Sequence, residues 1–313
     1  MNWKQLGKRS WIWSLFGSAV LFVLICLISG KLNAAILRSN LVLASYLILM
    51  SLGQSAVMTG GDGAIDLSVQ YMIAFAAYIA SWLTETIGLP LGVFVTIAIC
   101  GAVGACSGII NVYLKVPAMI TTLSIGYILY SSVLMISCNL SGVEHEAISW
   151  FSQKARFLGL SPIVFLAIFA AILIAILFYR TPYGRKLHAV GQNRRAAAVA
   201  GIKVNRIVIS TFVISATLSS IAGILLGGYF GKAFQDMGLS YMLICIAATV
   251  IGGTNAGGGK SSVLGTCTSA FMLMMLSTFL NISGFSAGLQ DLIQGSVLIL
   301  ILVASVPKKT VNV

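Results

Sequence analysis

Two glycine-rich stretches contain the residues whose spacing comes closest to nucleotide chemistry. The first, GGTNAGGGKSS at residues 252–262, ends in Gly-Lys-Ser like a P-loop, whose backbone N–H groups and lysine hold phosphates. That motif needs glycine five positions before Gly259, where this chain has Thr254, and the preceding segment indicates a membrane helix rather than a strand. The second, GGDGAIDLSV at residues 60–69, indicates a turn followed by Asp66 as a helix N-cap. We expect both stretches to be turns and expect this chain itself to bind no ATP.

The remaining reactive side chains do not form a recognisable centre. His145 and His188 are far apart in sequence, and the six cysteines lie within or at the ends of apolar segments without C-x-x-C spacing. Asp291 is the one acid placed near the interior of an apolar segment, whereas ion-coupled carriers need charged groups there. We therefore expect no catalytic residue, no metal site and no cofactor, so that any uphill transport must draw its energy from another protein.

The composition identifies the elements that position these residues. Of the 313 residues, 58% are hydrophobic and 8% are charged, whereas a soluble domain is about one quarter charged. The sequence predicts an all-α membrane protein, a polytopic helical bundle forming a single domain over residues 1–313. We predict ten transmembrane helices, near 11–29, 41–58, 69–84, 90–113, 119–138, 162–180, 207–230, 241–253, 262–281 and 288–306. The segments 69–84 and 241–253 are short for a bilayer, so we expect them to be tilted, re-entrant or shielded.

The distribution of basic residues predicts the orientation. With ten spans and the N-terminus inside, fourteen of the nineteen lysines and arginines fall on the cytoplasmic side: Lys4, Lys8, Arg9, Lys115, Arg180, Arg185, Lys186, Arg194, Arg195, Lys203, Arg206, Lys260, Lys308 and Lys309. Both termini are therefore expected in the cytoplasm. The net charge of +12 follows from this topology and from contact with anionic lipid, and we expect no nucleic-acid partner.

One predicted cytoplasmic loop, about residues 181–206, is unusually basic and contains its own short helix. Asn193 is a predicted N-cap, residues 194–200 favour helix, and Gly201 ends it. The alanines of this helix offer a surface for close packing, and its arginines can pair with carboxylates of a partner. We expect a bulky residue at Ala197 to abolish transport without disturbing the fold. The alternative is a basic loop that only contacts lipid headgroups.

Four stretches together resemble one protein family. The segment TPYGRKLHAVGQNRRAAAVAGIKVNRI, with DLSV at 66–69, VPAMITTLS at 116–124 and AATVIGGTNAGGGKSSVLGT at 247–266, is similar to permease subunits of bacterial ATP-binding-cassette (ABC) importers of the ribose, xylose and galactose type. The resemblance implies a multi-pass subunit of the inner membrane, paired with a second permease, docked on a cytoplasmic ATPase subunit and supplied by an extracytoplasmic binding protein. It assigns ATPase coupling to Gly191, Asn193, Arg194, Arg195, Ala196, Ala197 and Gly201. Arg195 departs from the family, which often has an acid there.

The solute is not fixed by the sequence. The resemblance favours a small hydroxylated solute, in particular a monosaccharide, with a branched-chain amino acid or a furanone signal as alternatives, and an ATP-independent channel or carrier as the rival from another class. The polar side chains of Gln54, Asn111, Thr121 and Thr122 are candidates to line the pathway. Each of them is equally suited to a hydrogen bond between packed helices.

Overall fold

The computed structural model describes residues 10–29, 34–138, 140–286, 288–290, 292–296 and 299. Apolar runs without internal proline fold there into helices, which we number in chain order. They are α1 Ser10–Ser29, α2 Ala34–Thr59, α3 Val69–Ile87, α4 Leu89–Tyr113, α5 Ala118–Ser137, α6 Glu146–Ser149 with a π-helical turn Trp150–Lys154, α7 Pro162–Tyr179, α8 Pro182–Gln192, α9 Arg194–Val199, α10 Val204–Phe230, α11 Tyr241–Ile251 and α12 Val263–Ile282.

The structure confirms an all-α polytopic membrane protein. Within the described ranges, seven helices are long and apolar enough to span a bilayer, namely α1, α2, α4, α5, α7, α10 and α12. The predicted short spans are also helical: α3 extends to 19 residues, whereas α11 has 11 residues. The predicted tenth span, 288–306, lies largely outside the described residues, so the count of ten and the cytoplasmic termini remain predictions.

Helices α2 and α10 form the centre of the bundle. Helix α10 packs against α2, α3 and α4, and α12 packs against α1 and α2. The outer helices α1, α4, α5 and α7 expose large apolar side chains, among them Phe94 and Phe169. Helices that are apolar all round while remaining this exposed are suited to a lipid environment.

The two ends of the bundle differ. Helices α8 and α9 lie at one end, which we call the coupling end, together with the loops 60–68 and 252–262. The opposite end has the loop 140–145, α6 and the π-helical turn. At about 1.5 Å per residue, the 11 residues of α11 extend about 16 Å, roughly half of a hydrocarbon core about 30 Å thick. The chain therefore returns to mid-bundle depth between the end of α10 and the start of α11.

Candidate functional site

Helix α9 forms where the sequence predicts it and is capped as predicted. The side-chain oxygen of Asn193 accepts a hydrogen bond from the Ala196 N–H at 3.0 Å, which satisfies one of the free donors at the helix start. Gly201 has φ +80°, the left-handed conformation that ends a helix without steric cost. The caps make α9 a short element with fixed ends.

The exposed face of α9 is apolar apart from one arginine. Arg195, Ala196, Ala198 and Val199 are exposed, and Val199 has 91% of its surface accessible. Ala197 has only 4% accessible because it packs into this chain's own core. The expectation that Ala197 can be enlarged without disturbing the fold is therefore corrected, since an added side chain would have to displace neighbouring groups. The residues that can meet a partner directly lie on either side of it.

Arg194 forms an ion pair within the chain. Its Nη1 lies 3.1 Å from Oδ2 of Asp62, and its Nη2 donates to the carbonyl oxygen of Gly61 at 3.4 Å. Arg194 thus has a carboxylate partner within the chain, and pairing of either arginine with another protein remains a prediction. Such a solvent-accessible ion pair stabilises by about 0–1 kcal/mol, so its main effect is to orient α9 over the loop 60–68. Arg195 forms no ion pair within the described ranges and remains exposed.

The glycine contact, formed by Gly61, Gly191, Gly258 and Gly259, joins three segments backbone to backbone. The Gly259 N–H donates to the carbonyl oxygen of Thr59 at 3.0 Å. A Cβ on Gly191 would lie 2.9 Å from Gly259 Cα and would overlap the Thr59 oxygen. A Cβ on Gly258 would lie 2.7 Å from the Gly61 nitrogen. The P-loop-like stretch is therefore a tight turn packed against the end of α2 and the end of α8.

Side chains that the sequence does not identify as site residues also hold the turn at 252–262. His188 Nε2 is 2.9 Å from the Ser261 hydroxyl, and the Tyr179 hydroxyl donates to the Ser261 carbonyl at 3.2 Å while accepting from Val263 N–H at 3.0 Å. These residues are 73 to 84 positions apart in the chain, so no local pattern could have paired them. The loop 252–262 is thereby attached to α7 and α8.

Helix α8 is also attached to the central helix α10. The Tyr183 hydroxyl forms a hydrogen bond of 2.8 Å with the Ser210 hydroxyl. Burial raises the pKa of the Tyr183 hydroxyl above its ordinary value, because the charged form is poorly solvated there. The neutral phenol is therefore retained, and a displacement of α8 acts on α10 directly.

Asp66 is buried and joins the start of α3 to α10. It is 3% exposed, and its Oδ1 accepts from the Ser68 N–H at 3.0 Å and from the Ser68 hydroxyl at 2.6 Å. Its Oδ2 accepts from the Ser215 hydroxyl of α10 at 2.7 Å. The contact with Ser68 at the start of α3 resembles the predicted capping role, but the bond to α10 was not foreseen. Asp66 therefore ties the start of α3 to the central helix.

Two of the four pathway candidates hold the same segment. Thr122 Oγ1 accepts from the Leu67 N–H at 3.0 Å. The amide of Gln54, oriented to satisfy both of its atoms, donates to the Asp66 carbonyl and accepts from the Asp66 N–H, each at 3.2 Å. Gln54 and Thr122 thus fix residues 65–67 from α2 and from α5. Their contact with a solute remains a prediction.

The other two pathway candidates, Asn111 and Thr121, form no hydrogen bond with residues 65–67 in the part of the chain that the structure describes. Asn111 donates from its side chain to the Val116 carbonyl at 2.8 Å and so closes the turn between α4 and α5. Thr121 is buried, with no hydrogen-bond partner for its hydroxyl among the described residues. The structure therefore does not gather all four candidates at one site, and solute contact by Asn111 and Thr121 also remains a prediction.

Comparison with known proteins agrees with this architecture. Residues 36–302 match the family described as "Branched-chain amino acid transport system / permease component". The autoinducer 2 import system permease protein LsrD of Salmonella typhimurium is 29% identical over 309 residues, covering 94% of this chain and 92% of that protein. The LsrD protein of Escherichia coli O9:H4 is 28% identical over 298 residues, covering 91% and 89%. No solved structure matches the chain.

The family match covers most of the chain and includes the coupling segment, the glycine contact and the central helices. The relatives are similar over nearly their whole length, so the similarity extends to complete permease proteins. The chain therefore belongs to this transport-system permease family and is a multi-pass permease subunit of an ABC importer.

Proposed function

We propose that α9 is the element through which a separate cytoplasmic ATPase drives this permease. The observation that carries the proposal is the two-sided character of α9: its outer face exposes Val199, Ala198 and Arg195, while Ala197 is buried within the chain. An exposed apolar patch beside a charge is suited to a protein partner. On the inner side, Arg194 and the glycine contact join the segment to the bundle.

The orientation follows from this role. The loop that contains α8 and α9 carries seven basic residues, namely Arg180, Arg185, Lys186, Arg194, Arg195, Lys203 and Arg206. Such an excess favours the cytoplasmic side, which is where ATP is available. The coupling end is therefore cytoplasmic, and the opposite end with α6 receives solute from an extracytoplasmic binding protein.

The proposed cargo is a small hydroxylated solute. The similar proteins are named as autoinducer 2 import permeases, which supports a hydroxylated furanone or a monosaccharide. The family description names branched-chain amino acids, so this class is the alternative. A second permease, either a second copy or a different chain, would complete the pathway.

The proposal is tested by changing the outer face of α9 alone. Val199→Glu and Ala198→Trp should abolish co-purification of the ATPase and solute uptake, while the amount of inserted permease stays unchanged, because both side chains lie on the surface. Val143→Glu is the matched control for ATPase co-purification, since Val143 is an exposed valine at the opposite end of the bundle, and uptake is compared with that of the unmodified permease. If the Val199 and Ala198 variants retain the ATPase like the control and transport like the unmodified permease, α9 is not the coupling element and the headgroup-binding interpretation is favoured.

A further inference from the structure

A cavity of about 320 Å³ lies among the start of α3, the middle of α5 and the loop before α11. Its lining residues are Gln70, Tyr71, Tyr127, Tyr130, Gln235, Asp236 and Leu239. Its volume is at the lower end of the range of about 300–1,000 Å³ that is typical of small-molecule sites. Tyr127 is 57% exposed, so the cavity opens at the surface of the single chain.

The cavity lies about midway through the bundle. Tyr127 is nine residues beyond Ala118, where α5 begins at the coupling end, a rise of about 13 Å along the helix. The loop before α11 descends to the same depth from the opposite end, since a Cβ on Gly238 would lie 3.0 Å from Gln70 Cα. Two irregular segments, 60–68 and 231–240, therefore approach each other from opposite ends. Irregular backbone at this depth is tolerated where it is buried or lines a cavity, and in transporters it marks solute sites.

The aromatic wall is held in place by its neighbours. The Tyr71 ring centroid is 5.6 Å from that of Tyr127 at an interplanar angle of 39°, and 5.8 Å from that of Tyr130 at 76°. Gly126 leaves room for Tyr71, because a Cβ there would lie 2.8 Å from its ring atom Cε2 and nearer still to Cδ2. Tyrosine rings offer an apolar face together with a hydroxyl that hydrogen-bonds. The cluster therefore suits a solute with one apolar ring face and polar substituents.

The polar lining points to a neutral solute. Gln70 is 5% exposed and its Oε1 has no hydrogen-bond partner among the described residues, so a buried acceptor at the cavity wall is available to a solute hydroxyl. Gln235 and Asp236 add an amide and a carboxylate. Among the described residues that line the cavity, none is basic. The carboxylate of an amino acid would therefore lack a cationic partner, whereas hydroxyl groups can donate to Gln70 and Asp236.

We propose that this cavity is a solute-binding station within the import pathway and that it takes a neutral, hydroxylated ring compound. The inference rests on the proposed import function. The three tyrosines contact the ring, and Gln70, Gln235 and Asp236 bind its hydroxyl groups. A second permease would close the exposed side at Tyr127.

The test uses the full complex of this permease, the second permease, the ATPase and the binding protein in proteoliposomes. Uptake of labelled ribose, galactose, autoinducer 2 and leucine is measured first with the unmodified permease. Tyr127→Ala and Gln70→Leu are then compared, using the probe that is imported, with Tyr113→Ala, a control in which an exposed tyrosine outside the cavity is removed. Each cavity variant should lower uptake about tenfold or more, because one lost contact in a small site changes discrimination by that order. Complex assembly and the amount of inserted permease should be unchanged.

The outcomes separate the two proposals. If the unmodified permease imports a hydroxylated probe while the cavity variants transport like Tyr113→Ala, the station is overturned and the import function stands. If it imports leucine in preference, the proposed solute class is wrong. If none of the probes is imported, the proposed solute class and the station that rests on it both fail, whereas membership of the permease family is unaffected. If Tyr127→Ala lowers uptake only by preventing assembly with the second permease, while Gln70→Leu transports like Tyr113→Ala, the station is overturned.

Discussion

Replacing Gly191 by alanine tests how force passes from α8 and α9 into the bundle. The added methyl group would lie 2.9 Å from Gly259 Cα and would overlap the Thr59 carbonyl oxygen. Because carbon atoms in contact are normally about 3.5–4.0 Å apart, the end of α8 must move away from the loop 252–262 by about 1 Å. The backbone atoms that obstruct the methyl group cannot rotate aside as a side chain would.

The magnitude follows from what this separation breaks. Overpacking of a close contact costs about 1–3 kcal/mol, and loss of the hydrogen bond from Gly259 to Thr59 costs about 0.5–1.5 kcal/mol. Together these give about 1.5–4.5 kcal/mol, which corresponds to a change of about 10-fold to 2,000-fold in the equilibrium between docked and undocked arrangements. The outer face of α9 is not altered.

The expected result is a permease that keeps its ATPase and loses transport. Co-purification of the ATPase and solute uptake are measured on the same preparations, and uptake should fall by at least about tenfold, in line with the loss of docking. Gly257→Ala is the matched control, since it lies in the facing loop and a Cβ there would come no closer than 3.5 Å to the atoms around it. Uptake by Gly191→Ala within a factor of about two of the Gly257→Ala control would refute the role of the glycine contact in coupling.

Three further predictions concern charged residues. Asp66→Ala should strongly lower the melting temperature and the yield of inserted protein, because three hydrogen bonds to a buried carboxylate are lost. Asp62→Ala removes only an exposed ion pair and should change both measures little. Equal effects of the two substitutions would contradict this explanation by burial. Arg195→Glu should weaken ATPase co-purification most at low salt, because salt screens the interaction of an exposed charge with its partner. A loss of co-purification that does not depend on salt would argue against an electrostatic role of Arg195. Burial raises the pKa of Glu144, in the loop before α6, from 4.5 to about 8, so the folded protein holds a proton that the unfolded chain releases. The melting temperature of the protein should therefore fall as the pH rises from about 5 to about 8 and then level off. Glu144→Gln should abolish this pH dependence.

Local chemistry made part of the site predictable from the sequence. The bounds of α9 depend on Asn193 and Gly201, whose preferences for the two ends of a helix arise within a few residues. The helical structure of the apolar segments is also predictable from local sequence, because a segment within a membrane must satisfy its backbone hydrogen bonds within its own helix. The short apolar run at 241–253 likewise predicts that α11 is short for a bilayer.

Contacts between distant segments were not predictable in this way. Arg194 was expected to meet a partner, but it lies beside Asp62, 132 positions earlier in the chain. Ala197 was expected on the docking face, yet it is the buried member of α9. In each case the residue type allows both arrangements, and only the packing of α8 and α9 onto the loop 60–68 selects one. Asp66 illustrates the same limit, since its bond to Ser215 joins residues 149 positions apart.

One continuous stretch of chain connects the coupling end with the cavity. Gly61 contacts Gly191 at the end of α8, Asp66 is bound to α10, and Gln70 lies against Gly238 and lines the cavity. Residues 61–70 are a short irregular segment that ends in the first turn of α3. A shift at the glycine contact is therefore passed along a short, hydrogen-bonded segment. We infer that ATPase docking and solute occupancy bias the same segment, so that the loss of uptake expected for Gly191→Ala arises at the cavity rather than at the ATPase.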